Sequence, residues 1–277
     1  MKQRQASRVS SPAAGKQGSG SAAVNAVDHA VAAKIERSRA PGRAREGLPR
    51  VARSTKQVAR GNRLLESLSG ADRTLLKPDL EEVSLTTWQV LETPNERISH
   101  VYFPTSGLAS VVGTARPKRR IEIGMVGYEG MTGLAVALGH DRSSNETVVQ
   151  ADGSALRIQS RALRAALRAR PNLHLTVLRY VHAFMMQASQ TALANGRARL
   201  DERLARWLLM WQDRLRTPNL TVTHEFLALL LGVTRQGVTV ALHELEGNHL
   251  IKGTRNLVQI LDRKGLIVLA DGFYGEP

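Results

Sequence analysis

Between Thr223 and Glu246 apolar residues recur twice at helical spacing, and Gly232 interrupts the first run. Phe226, Leu227, Leu230 and Leu231 make the first stripe, and Val238, Ala241, Leu242 and Leu245 the second. The spacing predicts two short amphipathic helices. Gly232 between them tolerates the positive φ of a tight turn, Ala228 is small enough for the helices to cross closely, and Thr234 offers a hydroxyl cap to the second helix. Opposite the second apolar stripe stand Arg235, Gln236, Thr239 and His243. These side chains can reach base edges: arginine pairs with guanine, glutamine with adenine, and threonine offers a hydroxyl or a methyl. An αα-hairpin whose polar face meets only water would show the same short pattern. The residues beyond the second helix favour DNA. After Glu246 the period shortens to that of strands, with Leu250-Ile251, a polar Gly253-Thr254-Arg255-Asn256 turn and Leu257 to Leu261. This predicts a two-stranded wing whose Lys252 and Arg255, together with Thr234, would meet phosphate.

Upstream the texture is different. A short helix is expected over Gly61 to Leu68 and another from Asp72, limited by Pro78. Short apolar runs come next around Trp88, at Ile98 to Pro104, Leu108 to Val112, Arg120 to Val126, Thr147 to Gln150 and Ser154 to Ile158. Turn residues at this spacing predict an antiparallel barrel or jelly roll. Gly124, Gly127, Gly130 and Gly133 recur at every third position, but no Gly-Lys-Ser/Thr succeeds them, so a strand-to-helix corner is favoured over a phosphate loop. Arg161 to Arg170 reads as a short helix that Pro171 ends. A long helix then runs from Asn172 to about Asn195 with two apolar stripes. Leu173, Val177, Tyr180 and Phe184 would cover the roll. Leu178, Val181, Met185, Ala188 and Ala192 would pair with a second copy, or be buried within one chain. Asn195-Gly196 offers a hinge before the helix marked by Leu200, Leu204, Trp207, Leu208 and Trp211.

Composition narrows the function classes. The 277 residues contain no cysteine, which excludes disulfides, thiolate nucleophiles and cysteine-ligated clusters. The formal charge is +15, but residues 1–63 hold 14 Lys/Arg against 3 Asp/Glu, while residues 217–277 hold 5 against 6. The basic character belongs to the tail, and DNA contact has to rest on the placement of Arg235, Lys252 and Arg255. Residues 1–60, without an aromatic residue, are expected to be a disordered arm: either an aid to non-specific DNA affinity or a dispensable extension. His224-Glu225 and His243-Glu244 each begin an H-E-x-x-H, but Ala228 and Gly247 occupy the closing positions, so no metal pair forms there. No G-x-S-x-G elbow is present either. No enzyme and no metal site are expected. The lack of an apolar run long enough to span a bilayer, and of a signal-peptide core, points to a cytoplasmic protein without a membrane partner.

The order of parts resembles the Crp-Fnr family of transcription regulators, most strongly at Gly232, Thr234-Arg235-Gln236, Val238, Leu245-Glu246 and Leu250-Ile251. The resemblance implies an α+β chain: an antiparallel β-roll (jelly roll) sensor similar to cyclic-nucleotide-binding domains over 61–171, a dimerisation helix over 172–197, and a winged helix-turn-helix over 198–277. It implies double-stranded DNA as partner, a homodimer formed through residues 172–195, and contact with RNA polymerase. Arg235 takes the place of the family's recognition-helix arginine, Gln236 replaces a glutamate, and Val240 stands where well-known members carry a second arginine. The family's ligand cassette is degenerate here. Gly130 is followed by Met131 rather than glutamate, Arg142-Ser143 falls in a polar loop, Glu146 would repel a phosphate, and Ser189 is preceded by Ala188. No cofactor is therefore expected, with cyclic AMP or cyclic GMP the less favoured possibility. The alternative function is a cyclic-nucleotide-responsive sensor that signals through protein contacts.

Overall fold

The computed structural model describes residues 61–115 and 119–275; the expected basic arm, residues 1–60, lies outside them. Two short helices, α1 (Arg63–Glu66) and α2 (Gly70–Leu76), open the described chain, capped by Asn62 and Ser69. The apolar alternation after them becomes seven strands in two sheets. One sheet has the order β1-β7-β3, from β1 (Glu81–Leu85), β3 (His100–Pro104) and β7 (Gly153–Gln159). The other has the order β2-β6-β4-β5, from β2 (Val90–Glu92), β4 (Leu108–Ala115), β5 (Arg119–Val126) and β6 (Glu146–Ala151). All pairs are antiparallel. Leu85, Tyr102, Val149 and Ala155 pack together from the two sheets. Because side chains alternate, Val101 and Phe103 face the other way and pack with Leu163, Leu167, Leu173 and Val177. The glycine run forms a corner: β5 ends at Val126, and Gly133 caps the one-turn helix α3 (Leu134–Ala137).

Helix α4 (Ser160–Ala169) leads across Pro171 into α5 (Pro171–Arg197), 27 residues long. Two expectations are corrected here. Asn195-Gly196 is not a break, because α5 continues through both residues and the chain turns extended only at Ala198. A glycine in an exposed last turn costs only about 1 kcal/mol, and Ala194, buried beside it, holds the turn in place. Val181 also leaves the stripe assigned to a second copy: one turn after Val177, it is buried with it against the roll. Met185 remains exposed, as do Leu175, Met186 and Leu193. Gln187 uses its amide on the backbone of β5, accepting from Met125 N–H at 2.6 Å and donating to Met125 C=O at 3.2 Å.

Helix α6 (Leu200–Leu215) joins the two halves of the molecule. It packs with α7 (His224–Leu231), α8 (Arg235–Gly247) and α9 (Arg263–Leu269) in one apolar core, which also takes in Leu108, Val112, Met125 and Val148 of the roll. Trp88 meets Phe226 edge to face, with ring centroids 4.7 Å apart. At the centre of this joint the buried Glu122 carboxylate accepts hydrogen bonds from Ser110 Oγ, from Gln150 Nε2 and, across the joint, from Trp207 Nε1 at 3.1 Å. Burial pushes its pKa up to about 7, against the opposing effects of Ser110, Arg206, Arg214 and Trp207. Arg214, also buried, pairs with Glu129 at 2.8 Å. The wing contains a strand that the sequence did not suggest. Besides β9 (Ile251–Thr254) and β10 (Leu257–Ile260), β8 (Asn219–Thr221) pairs with β10 on its other side, giving the order β8-β10-β9.

Candidate nucleic-acid interface

The local chemistry of the helix-turn-helix follows from four residues. Thr223 Oγ1 accepts from Phe226 N–H at 3.2 Å and Thr234 Oγ1 from Gly237 N–H at 3.1 Å, so each helix starts on a threonine cap. Gly232 adopts φ 64° at the end of α7, and Val233 N–H bonds back to Ala228 C=O at 2.9 Å. The chain turns sharply because the glycine lacks the Cβ that makes this conformation costly. The two helices are bent by 106°. Val238, Ala241, Leu242 and Leu245 are buried against α6 and α7, which leaves the opposite face of α8 outward.

On that face Gln236 and His243 are exposed, as is Val240. Arg235 is exposed but held: its Nε forms an ion pair with Glu225 Oε1 of α7 at 2.7 Å. The sequence marks Glu225 only as part of an incomplete H-E-x-x-H; its position in the first turn of α7, across from the start of α8, is what brings it to Arg235. An ion pair this exposed is worth about 1 kcal/mol or less, so it orients the guanidinium without locking it. Thr239 differs from the other three. It is half-buried, and its hydroxyl donates to Arg235 C=O at 3.0 Å and lies 2.9 Å from His224 Nδ1. With its one hydrogen given to the carbonyl, Thr239 Oγ1 is the acceptor and His224 Nδ1 the donor. Burial, then the Arg235 charge, holds His224 below its ordinary pKa, in keeping with a neutral ring. The methyl of Thr239 and one acceptor lone pair are left for a base. In the wing, Arg255 stands at the turn beside Asn256 (φ 60°), and Lys252 lies on β9 opposite Gln259; both are exposed. Gly253 N–H is tied to Glu246 Oε1 at 3.0 Å, which fastens the wing to the end of α8.

The five residues considered for a ligand pocket in the roll each have other engagements. Gly130 lies directly beneath the Tyr180 ring: a Cβ there would come within 2.1 Å of it. The Tyr180 hydroxyl donates to Met131 C=O at 3.1 Å, and burial pushes its pKa up. Arg142 reaches Asn95 C=O at 2.6 Å on the surface, and Ser143 Oγ accepts from Asn145 N–H. Glu146 is buried and paired with Arg120. Ser189 is exposed on α5 and donates to Met185 C=O. Among the described residues no group of three or more His, Asp or Glu could hold a metal ion. No single helix among them is long and apolar enough to cross a membrane.

Residues 202–269 match the family model of the Crp-like helix-turn-helix domain. No curated protein matches the chain. Among solved structures it is similar to FixK2 from Bradyrhizobium japonicum, at 18% identity over 69% of this chain and 96% of that one, with a TM-score of 0.61. It is also similar to a transcriptional regulator of the CRP family from Thermus thermophilus, TTHB099, at 21% identity, 69% and 97% coverage and a TM-score of 0.57. A third is CLP of Xanthomonas campestris, a c-di-GMP-responsive global regulator, at 14% identity, 70% and 100% coverage and a TM-score of 0.59. At these identities the likeness is one of fold.

Proposed function

We infer that this chain, a Crp-Fnr family transcription regulator by its helix-turn-helix domain and its fold, reads a specific DNA site as a homodimer. The observation that carries this is the outward face of α8, where Arg235, Gln236 and His243 stand exposed behind a capped first turn. In this reading α8 enters the major groove with its N-terminal residues on base edges, and the Thr239 methyl supplies an apolar contact. Thr234, Lys252 and Arg255 bind phosphate and set register. The exposed Leu175, Met185, Met186 and Leu193 of α5 support pairing of two copies along that helix. Two α8 helices then lie about one helical turn, roughly 34 Å, apart on a pseudo-palindromic site. The covered Gly130 and the paired Glu146 argue against a nucleotide between the sheets and α5.

Selection from a random DNA pool tests the proposal. The full chain should enrich a two-fold-related motif, and Arg235→Ala should cost about 1–3 kcal/mol on that motif and relax one base position per half-site. An equal loss on random duplex would reduce Arg235 to a phosphate contact, and failure to enrich any motif would remove the sequence-specific reading. Met185→Glu places a charge in the proposed two-fold contact. Sedimentation should show a monomer for this variant and a dimer for the parent.

A further inference from the structure

The roll and the DNA-binding half are joined covalently by only two extended residues, Ala198 and Arg199, between α5 and α6. How the halves sit on one another is therefore decided by the surfaces that α6 and α7 press against the roll, and at the centre of those surfaces stands Glu122. Its side chain is buried, and its three hydrogen bonds tie two strands of the roll, through Ser110 and Gln150, to Trp207 of α6. Three arginines of α6 face it, and each is engaged elsewhere. Arg206 donates to Phe273 C=O at 3.0 Å and to Thr191 Oγ1 at 3.1 Å, Arg214 holds Glu129, and Arg203 holds Leu231 C=O at the end of α7. The groups that β4, β6, α5 and α7 bring to it, among them Ser110, Gln150, Thr191, Asn195 and Leu230, carry no charge. Glu122 thus has no ion-pair partner among the described residues. A cavity of about 20 Å³ beside it, on the joint, has room for about one water.

A carboxylate in this position lacks both a counter-charge and a hydration shell. Burial outweighs the help it receives from Ser110, Arg206, Arg214 and Trp207, so its pKa rises to about 7. A carboxylic acid, by contrast, fits without any rearrangement of the halves. Its proton goes on Oε2, Ser110 Oγ turns from donor to acceptor, and Oε1 still accepts from Trp207, whose N–H can only donate. Gln150 Oε1, buried without a hydrogen-bond partner, marks the ionised cluster as one donor short. Once ionised, the carboxylate gains water only where the joint opens, because the buried Ser110 and Gln150 close the other side. We propose that Glu122 and Trp207 form a proton-operated latch between the two halves: protonated, it holds the joint closed; ionised, it lets the DNA-binding half shift about Ala198 and Arg199. A loose joint populates arrangements in which the two α8 helices of a dimer miss the spacing of their site, so DNA affinity falls. This last step rests on the function proposed above; the latch itself does not.

The chain's own tryptophans report the joint in the absence of DNA. All three stand at it: Trp88 against Phe226, Trp207 on Glu122, and Trp211 stacked on Trp207 with ring centroids 5.1 Å apart. Fluorescence of the full chain is followed between about pH 5.5 and about pH 8.5, which brackets the Glu122 transition. The emission should move to longer wavelength in one step at about pH 7, while far-ultraviolet circular dichroism stays constant. Glu122→Gln and Glu122→Met, two uncharged side chains of similar length, should each hold the low-pH emission throughout. The latch is overturned if the parent shows no step, or if both variants keep it. In a second arm, raising the pH from about 6 to about 8 should weaken the parent on its selected DNA site by about tenfold. His224 and His243 give DNA binding a pH dependence of their own, which the Glu122 variants retain; the share that disappears in them belongs to the latch. Equal pH dependence in parent and variants would overturn the link to DNA and leave the latch, and failure of the DNA selection leaves the fluorescence test unaffected.

Discussion

The outward face of α8 and the interior of the roll are built from similar residue types and use them in opposite ways. In the roll, most buried polar groups are consumed: Glu146 by Arg120, Glu92 by the N–H of Gly133, the Tyr180 hydroxyl by Met131, and Glu122 by three donors. On α8, Gln236 and His243 stay exposed, and Arg235 is engaged only by an exposed partner. A polar group in the interior has to be satisfied within the chain, because leaving it unpaired costs about 1–3 kcal/mol. One at the surface can wait for a ligand. Of the residues that resembled a nucleotide cassette, Glu146 obeys the first rule while Arg142 and Ser189 lie at the surface; those that resembled a DNA-reading set obey the second, apart from Thr239.

Removing the fillers of the roll would break this contrast most strongly. Tyr180→Ala takes a ring off Gly130 and should cost about 3–5 kcal/mol in denaturant unfolding. Gly130→Ala forces a methyl into the same ring and should cost about 1–3 kcal/mol. Combined in one chain, the two should cost clearly less than their sum, and strict additivity would mean that the ring does not sit where it is described. Glu122 sharpens the contrast through pH. Its folded pKa is raised from 4.5 to about 7, so its protonated form suits the fold. Stability is therefore fullest below 4.5 and declines as pH rises through 7, by roughly 3 kcal/mol from this group. Glu122→Gln should flatten that decline; an unchanged pH profile would assign it to another group. The smallest effect is expected on α8. Thr234→Ala removes only a cap and should cost about 1 kcal/mol, measurable as a lowered thermal midpoint.

The helix-turn-helix was legible because each of its signals is local. Gly232, Thr223 and Thr234 dictate the turn and the two starts through atoms within a few residues of themselves. What escaped was set by distance in sequence. β8 is three residues long, and only β10, from 257 onward, makes it a strand. Trp207 carries a clear helical period, but its bond to Glu122 spans 85 residues and decides how the DNA-binding half meets the roll. The pocket residues Gly130 and Ser189 could be aligned with a family pattern, while the ring that closes the space, Tyr180, was read only as part of an apolar stripe. Thr239 was placed on the correct side of α8, but its hydroxyl was claimed by the Arg235 carbonyl one turn back and by a histidine from the preceding helix. Helical spacing carries no information about that.

The amide of Gln187 on Met125 has a consequence for what the roll can associate with. β5 is the last strand of its sheet, and a strand in that position normally presents a row of unpaired N–H and C=O groups on which another extended chain can grow. Here a side chain from α5 takes the N–H and the C=O of a single residue, Met125, near the end of that row. The helix thereby works as a plug against strand addition at that end of β5.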